Sequence, residues 1–177
     1  MTEMADKGRL KSELEMALFG DSFLNVYALV DGAQCLELMP TFEDMTPPNE
    51  CLFLGELDPE MQMVAPYLVE LREDGKFFDW LFDNGWGKSW CVFLTSESEM
   101  LDLRSHFRRL TVVEMPDGQF VYFRFYDPRV LRGFLPTCDG DQSGQMYGKV
   151  VETFFVEGDA GAEIVSFRRS ALALANT

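Results

Sequence analysis

The chain has little of what catalysts and nucleic-acid binders are usually built from. It contains one histidine, His106, in 177 residues, so any nucleophile–imidazole couple would have to form around that side chain. The four cysteines, Cys35, Cys51, Cys91 and Cys138, are widely separated and form no CxxC pair. Free thiols are expected rather than a disulfide framework. There is no G-x-S-x-G elbow and no phosphate-cradling loop, since Gly85 and Gly87 make only a GxG. Positive charge is scarce: 15 Lys and Arg stand against 30 Asp and Glu, a net charge of −15. That balance speaks against nucleic-acid binding, which needs clustered positive charge, and against anionic membranes. It favours a basic partner. No apolar run approaches the ~18 residues a membrane span requires. The first 20 residues place acids before any apolar run and have no long hydrophobic region, so a secretory signal is not expected and a cytoplasmic location is.

Aromatic residues are plentiful, at 14% with 16 Phe, and hydrophobic residues reach 47%. That is enough to bury a core and excludes disorder over most of the length. Short apolar strands alternating with helices predict an α/β fold, with a sheet covered by helices on both faces. A hairpin near residues 112–126 predicts that the sheet is mixed in direction. The expected organisation is a single compact domain at residues 21–157. A helical segment at 1–20 precedes it, and a strand and tail at 158–177 follow.

Punctuation along the chain is clear in places. Leu10, Leu14, Ala17 and Leu18 give a helical stripe over residues 9–19. Val26–Val30 reads as a strand ending at the Asp31–Gly32 turn. The segment 40–50 (PTFEDMTPPNE) is acidic, holds three prolines and reads as a variable loop. Strands are expected at 51–54, 67–71, 90–94, 151–156 and 163–167, and helices at 77–82 and 128–135. Asp58–Pro59 marks a helix start that should end before Pro66, and Ser96–Glu99 fits a capping box.

The densest information lies in FVYFRFYDPRVLR, residues 120–132. Alternation from Phe120 to Tyr126 predicts a strand, paired with Val112–Glu114 around Pro116, Asp117 and Gly118. Asp127 is then an N-cap and Pro128 the first helical residue. Arg124, between two tyrosines, would need a partner if buried. Asp31 is preferred and Asp127 second.

Other polar groups have plain readings. His106, four residues after Asp102, fits a surface contact on a helix. Asp139, Asp141 and Ser143 followed by Gly144 resemble a calcium loop, but Val150 stands where a bidentate Glu is required. A helix-capping turn is the expected reading, and no metal or cofactor is. Arg104 and Arg108 share a helix face and could grip a partner carboxylate. Arg129 and Arg132 read either as helix-surface charges or as partner contacts.

Five blocks together resemble a known family: YALVDGAQ (27–34), APYLVEL (65–71), WGKSWCVFLTS (86–96), LRSHFRRLTVV (103–113) and FVYFRFYDPRVLR. In this order over roughly residues 25–155 they are similar to the type VI secretion effector adaptors, long known as a domain of unknown function. The resemblance implies a non-enzymatic adaptor or chaperone. It would bind an effector, usually by its N-terminal region, and help load it onto the spike protein. Matching positions are Tyr27, Asp31, Gly32, Ala33, Pro66, Trp86, Trp90, Arg104, His106, Arg108, Arg124, Asp127 and Pro128. Asp31, Gly32, Arg124, Asp127 and Pro128 are expected to be structural, while Trp86, Arg104, His106 and Arg108, together with Arg129, are the candidates for partner contact. The rival reading is a small hydrolase or transferase with a carboxylate–arginine cleft around Asp31, Arg124 and Asp127.

Overall fold

The computed structural model describes residues 2–115 and 117–169. Pro116, from the predicted hairpin turn, and the predicted tail 170–177 lie outside the described residues. The main sheet has six strands: β1 (Asn25–Asp31), β2 (Asn49–Cys51), β3 (Pro66–Leu71), β4 (Cys91–Ser96), β7 (Thr153–Glu157) and β8 (Ile164–Arg168). Their order is β2-β3-β1-β4-β7-β8. A separate two-stranded ribbon pairs β5 (Val112–Glu114) with β6 (Phe120–Tyr122).

The α/β class with helices on both faces holds, but every pairing in the main sheet is antiparallel, not mixed. A strand buried on both faces reads the same in either direction, so its composition cannot report its sense. β3 and β4 both run against β1, which lies between them. The helix that joins them, α4 (Lys76–Gly85), therefore crosses over the central strand. The predicted hairpin forms, yet it stands apart from the sheet.

Alternation along the strands sorts the interior into two cores. Val26, Ala28, Val30, Cys91, Phe93 and Phe155 face α4, together with α1 (Thr2–Phe19) and α2 (Leu38–Met45). Tyr27, Leu29, Val92, Leu94, Phe154 and Val156 face the other way. They meet α5 (Met100–Leu110), α6 (Pro128–Phe134) and α7 (Gly140–Tyr147). Burying each large apolar side chain contributes about 1.5–3 kcal/mol. Rings dominate both layers: Phe82 stacks on Trp86 at 4.9 Å, and Phe107 on Phe125 at 5.4 Å.

Helix ends follow their caps. Asp58 accepts the Met61 N–H at 2.8 Å and opens α3 (Pro59–Val64), which stops before Pro66 as expected. Asp139 and Gln142 cap each other reciprocally at the start of α7, which is where the calcium-like residues are used. Four local expectations fail. The strand expected at 51–54 ends at Cys51 as β2. The segment 40–50, read as a loop, holds most of α2 and the start of β2; Pro40 is tolerated because it occupies the helix's third position, where the missing N–H would have had no helical partner. The Ser96 capping box does not form. Ser96 ends β4 and donates to the Val150 carbonyl, and Glu99 precedes the helix. The predicted strand 120–126 stops at Tyr122. Arg124–Asp127 is a turn closed by the Asp127 N–H donating to Arg124 O at 3.0 Å.

Candidate functional site

Where β1 ends, the chain collects its buried charges. The Asp31 N–H donates to Trp90 O at 2.9 Å, fixing the strand end against the loop that enters β4. The Asp31 carboxylate is 1% exposed; one oxygen accepts the Ala33 N–H at 3.0 Å and the other accepts Arg124. The predicted Asp31–Arg124 pair is therefore present, with one correction. Arg124 lies in the turn, 41% exposed, rather than buried in a strand between tyrosines. Its hydrogen bond to Asp31 raises the guanidinium pKa further. Tyr126 beside it is buried; desolvation, with the Asp31 charge adding, pushes its phenol up to about 12.

Asp127 performs two tasks. It caps α6 through the Arg129 N–H at 2.9 Å, with Pro128 at the first helical turn, and it receives the Arg129 guanidinium in a fork at 3.0 and 2.7 Å. Burial alone would raise its carboxyl pKa. The Arg129 bonds and the Arg124 charge outweigh burial and hold it below the ordinary value.

Sequence reading missed a third acid, Glu157 at the end of β7. It accepts the N–H groups of Gly87 (2.6 Å) and Ser89 (2.8 Å), so it nails the Trp86–Trp90 loop to the sheet. Burial raises its pKa against those bonds. Arg132 donates to its backbone carbonyl, not to its side chain. The signal was weak: Glu157 follows an apolar strand and looks like a solvated end.

These carboxylates are spent on backbone N–H groups and arginines at the protein's own sheet end. The larger grooves lie elsewhere. One of about 540 Å³ runs between Met45–Pro48 and Arg72–Phe78, and another of about 510 Å³ lies beside Trp86 and α1.

The residues named for partner contact divide. Trp86 is buried, stacked on Phe82, and donates its indole N–H to Gly161 O at 2.8 Å. Arg104 pairs with Glu50 at 2.8 Å, and Arg108 donates two bonds to Cys51 O at 3.2 and 2.9 Å. Both arginines thus reach from α5 to the edge strand β2. Arg129 is more than half exposed while it holds Asp127.

His106 is not the surface residue expected. It is buried under α7, with Nε2 2.9 Å from the Met146 carbonyl oxygen and its ring edge-on to Phe107. Gly148, at φ 53°, passes so close that a Cβ there would sit 2.8 Å from Nδ1. Burial lowers the imidazole pKa, with Arg109 contributing. Just below the unfolded value of ~6.5 the unfolded chain takes a proton that the folded one refuses, so folding stability falls as pH drops. Chemical denaturation between pH 8 and 5 should show the decline. The difference between the wild-type chain and His106→Gln should vanish if the imidazole is not responsible.

The surface that stands out was not named from the sequence. On the ribbon, Phe120 is 71% and Tyr122 66% exposed, and Val112, Val113, Met115 and Val121 are exposed beside them. Tyr122 meets Phe53 with ring centroids 5.6 Å apart. Between ribbon and β2–α3 segment lies a groove of about 130 Å³, lined by Phe53, Leu54, Leu57, Met61, Val112 and Tyr122. Contiguous exposed apolar surface of this kind marks interaction sites in soluble proteins. The available signal was apolar residues on both faces of a hairpin, which a ribbon packed into the main sheet would also show.

No helix among the described residues is long and apolar enough to cross a membrane. No curated protein and no solved structure matches the chain. A family model does match, over residues 26–145, the span that holds β1 through most of α7 and all of the sheet-end charges except Glu157. On that match the chain belongs to the family described as Domain of unknown function (DUF4123).

Proposed function

We propose that the chain is a non-enzymatic cytoplasmic adaptor that binds a type VI secretion effector, through the effector's N-terminal region, and helps load it onto the spike protein. The observation that carries this reading is the exposed apolar ribbon surface around Phe120 and Tyr122. Such a surface is a liability in a protein that works alone and an asset in one that shields a partner's segment. The resemblance of the five sequence blocks supplies the type of partner. The rival catalytic reading is weakened by the bonding of Asp31 and Asp127. Both are buried beneath arginines and hydrogen-bonded within the chain, whereas a general base must reach a substrate proton. Co-purification with the tagged chain from a bacterium running an active type VI system tests the reading. One large effector should be recovered together with the spike protein, and removing the effector's N-terminal region should abolish its capture. Recovery of neither, from cells that express both, would refute the adaptor role.

A further inference from the structure

The ribbon's backbone indicates how a partner would be held. Its inward hydrogen bonds run from the Phe123 N–H to Thr111 O (3.0 Å) and from the Met115 N–H to Gln119 O (2.7 Å). In an antiparallel pair the bonding direction alternates, so the N–H and C=O groups of Phe120 and Tyr122 point away from β5. Among the described residues no partner meets them. The margins of the main sheet differ. Cys51 O on β2 is occupied by Arg108, and neighbouring Glu50 by Arg104, which guards that edge. β8 presents exposed Ser166 and Arg168. The open edge at β6 instead carries the two most exposed aromatic side chains of the ribbon.

Charge selects the occupant. Glu56, Asp58, Glu60, Glu114 and Asp117 are all exposed and interleaved with the groove and ribbon residues. Neither 52–64 nor 112–122 contains a Lys or Arg. The basic residues closest in sequence are Arg124, two residues past Tyr122 and engaged by Asp31, and Arg109, exposed near the end of α5. We propose that β6 receives an extended polypeptide segment of alternating apolar and basic residues. The segment pairs with the backbone of Phe120 and Tyr122, packs apolar side chains on those rings and in the adjoining groove, and sets Lys or Arg against the surrounding carboxylates. The inference deepens the adaptor reading and rests on it, the effector being the source of the segment.

Selection of displayed random peptides of about 12 residues, roughly two strand lengths, against the full chain tests it without an effector. Enriched sequences should be apolar with Lys or Arg. A selected peptide should bind about tenfold more weakly to Phe120→Thr/Tyr122→Thr and to Glu114→Lys/Asp117→Lys. Raised salt should weaken binding to the wild-type chain. N-methylation of the peptide should abolish binding at one set of alternate residues and spare the other. All four substitutions lie at exposed positions, and unchanged melting temperatures verify that the variants fold. Enrichment of acidic or uncharged peptides, no enrichment at all, or binding indifferent to both variants would overturn the proposal. If effector capture succeeds while the peptide result fails, the adaptor reading stands and this docking mode falls. If peptides behave as expected but no effector is captured, the adaptor reading itself is at fault.

Discussion

Arg124→Ala is expected to destabilise the fold by about 3 kcal/mol, and Asp31→Ala by only about 1–2 kcal/mol, although each removes half of one ion pair. The asymmetry comes from burial. Asp31 is 1% exposed, and without Arg124 its carboxylate would keep a single hydrogen bond, from the Ala33 N–H. A buried charge left in that state costs several kcal/mol. Arg124 is 41% exposed, so without Asp31 it can recover water, and it remains 3.9 Å from Asp127. The double variant should lie close to Asp31→Ala and above Arg124→Ala in stability, giving a large coupling energy in the cycle. Urea titrations of the three variants read this directly. Asp31→Ala proving the more damaging single change would mean that the buried carboxylate is not the burden described.

Gly32→Ala is expected to cost about 3 kcal/mol, the upper end of overpacking effects. A Cβ at this position would lie 2.5 Å from Ala65 O and 2.7 Å from Met63 O. Both are backbone atoms, fixed by the α3–β3 link and by the Gly32 N–H donating to Ala65 O at 3.1 Å. A flexible side chain could swing away from such a contact, but these carbonyls cannot move without shifting β3. Gly133→Ala is the internal control. It lies within α6 with nothing within 4 Å of a new Cβ, so alanine should be neutral or stabilise by about 0.5–1 kcal/mol. Equal melting temperatures for the two variants would show that the close approach at Gly32 is not limiting.

Gly32 also shows how far the sequence could be read. Asp31–Gly32 was legible as the end of a strand, and the strand does end there. The reason for glycine was not legible, because the crowding comes from residues 63–65, more than 30 positions away. Short, nearly continuous apolar runs located β1, β3 and β4 within a residue or two, as strands buried on both faces read. Caps at Asp58, Asp127 and Asp139 were visible because an acceptor followed by proline or Gln has a local cause. What failed was set by neighbours. Pro40 concealed α2, the antiparallel sense of the sheet left no mark on its strands, and α7 buried His106 from outside its own helix.

The site divides along the same line. The Asp31–Arg124 pair could be inferred from the cost of leaving charge unpaired, a rule that applies wherever the residues lie. The roles of Trp86, Arg104 and Arg108 depended on which strand or loop came within reach. In this fold Gly161, Glu50 and the Cys51 carbonyl did. The ribbon surface escaped notice because its composition suits either a buried sheet or an exposed docking edge. The open backbone of Phe120 and Tyr122 distinguishes the two, and only the arrangement of β6 reveals it.

The proposed role, delivery of an effector, is tested most directly by effector release into the medium from cells with a working type VI machine. Cells lacking the chain should fail to release one effector while the machine's own secreted parts are still released. The wild-type chain should restore release, whereas the Phe120→Thr/Tyr122→Thr variant, folded and present at equal abundance, should not. Undiminished release of every effector from cells without the chain would refute the delivery role.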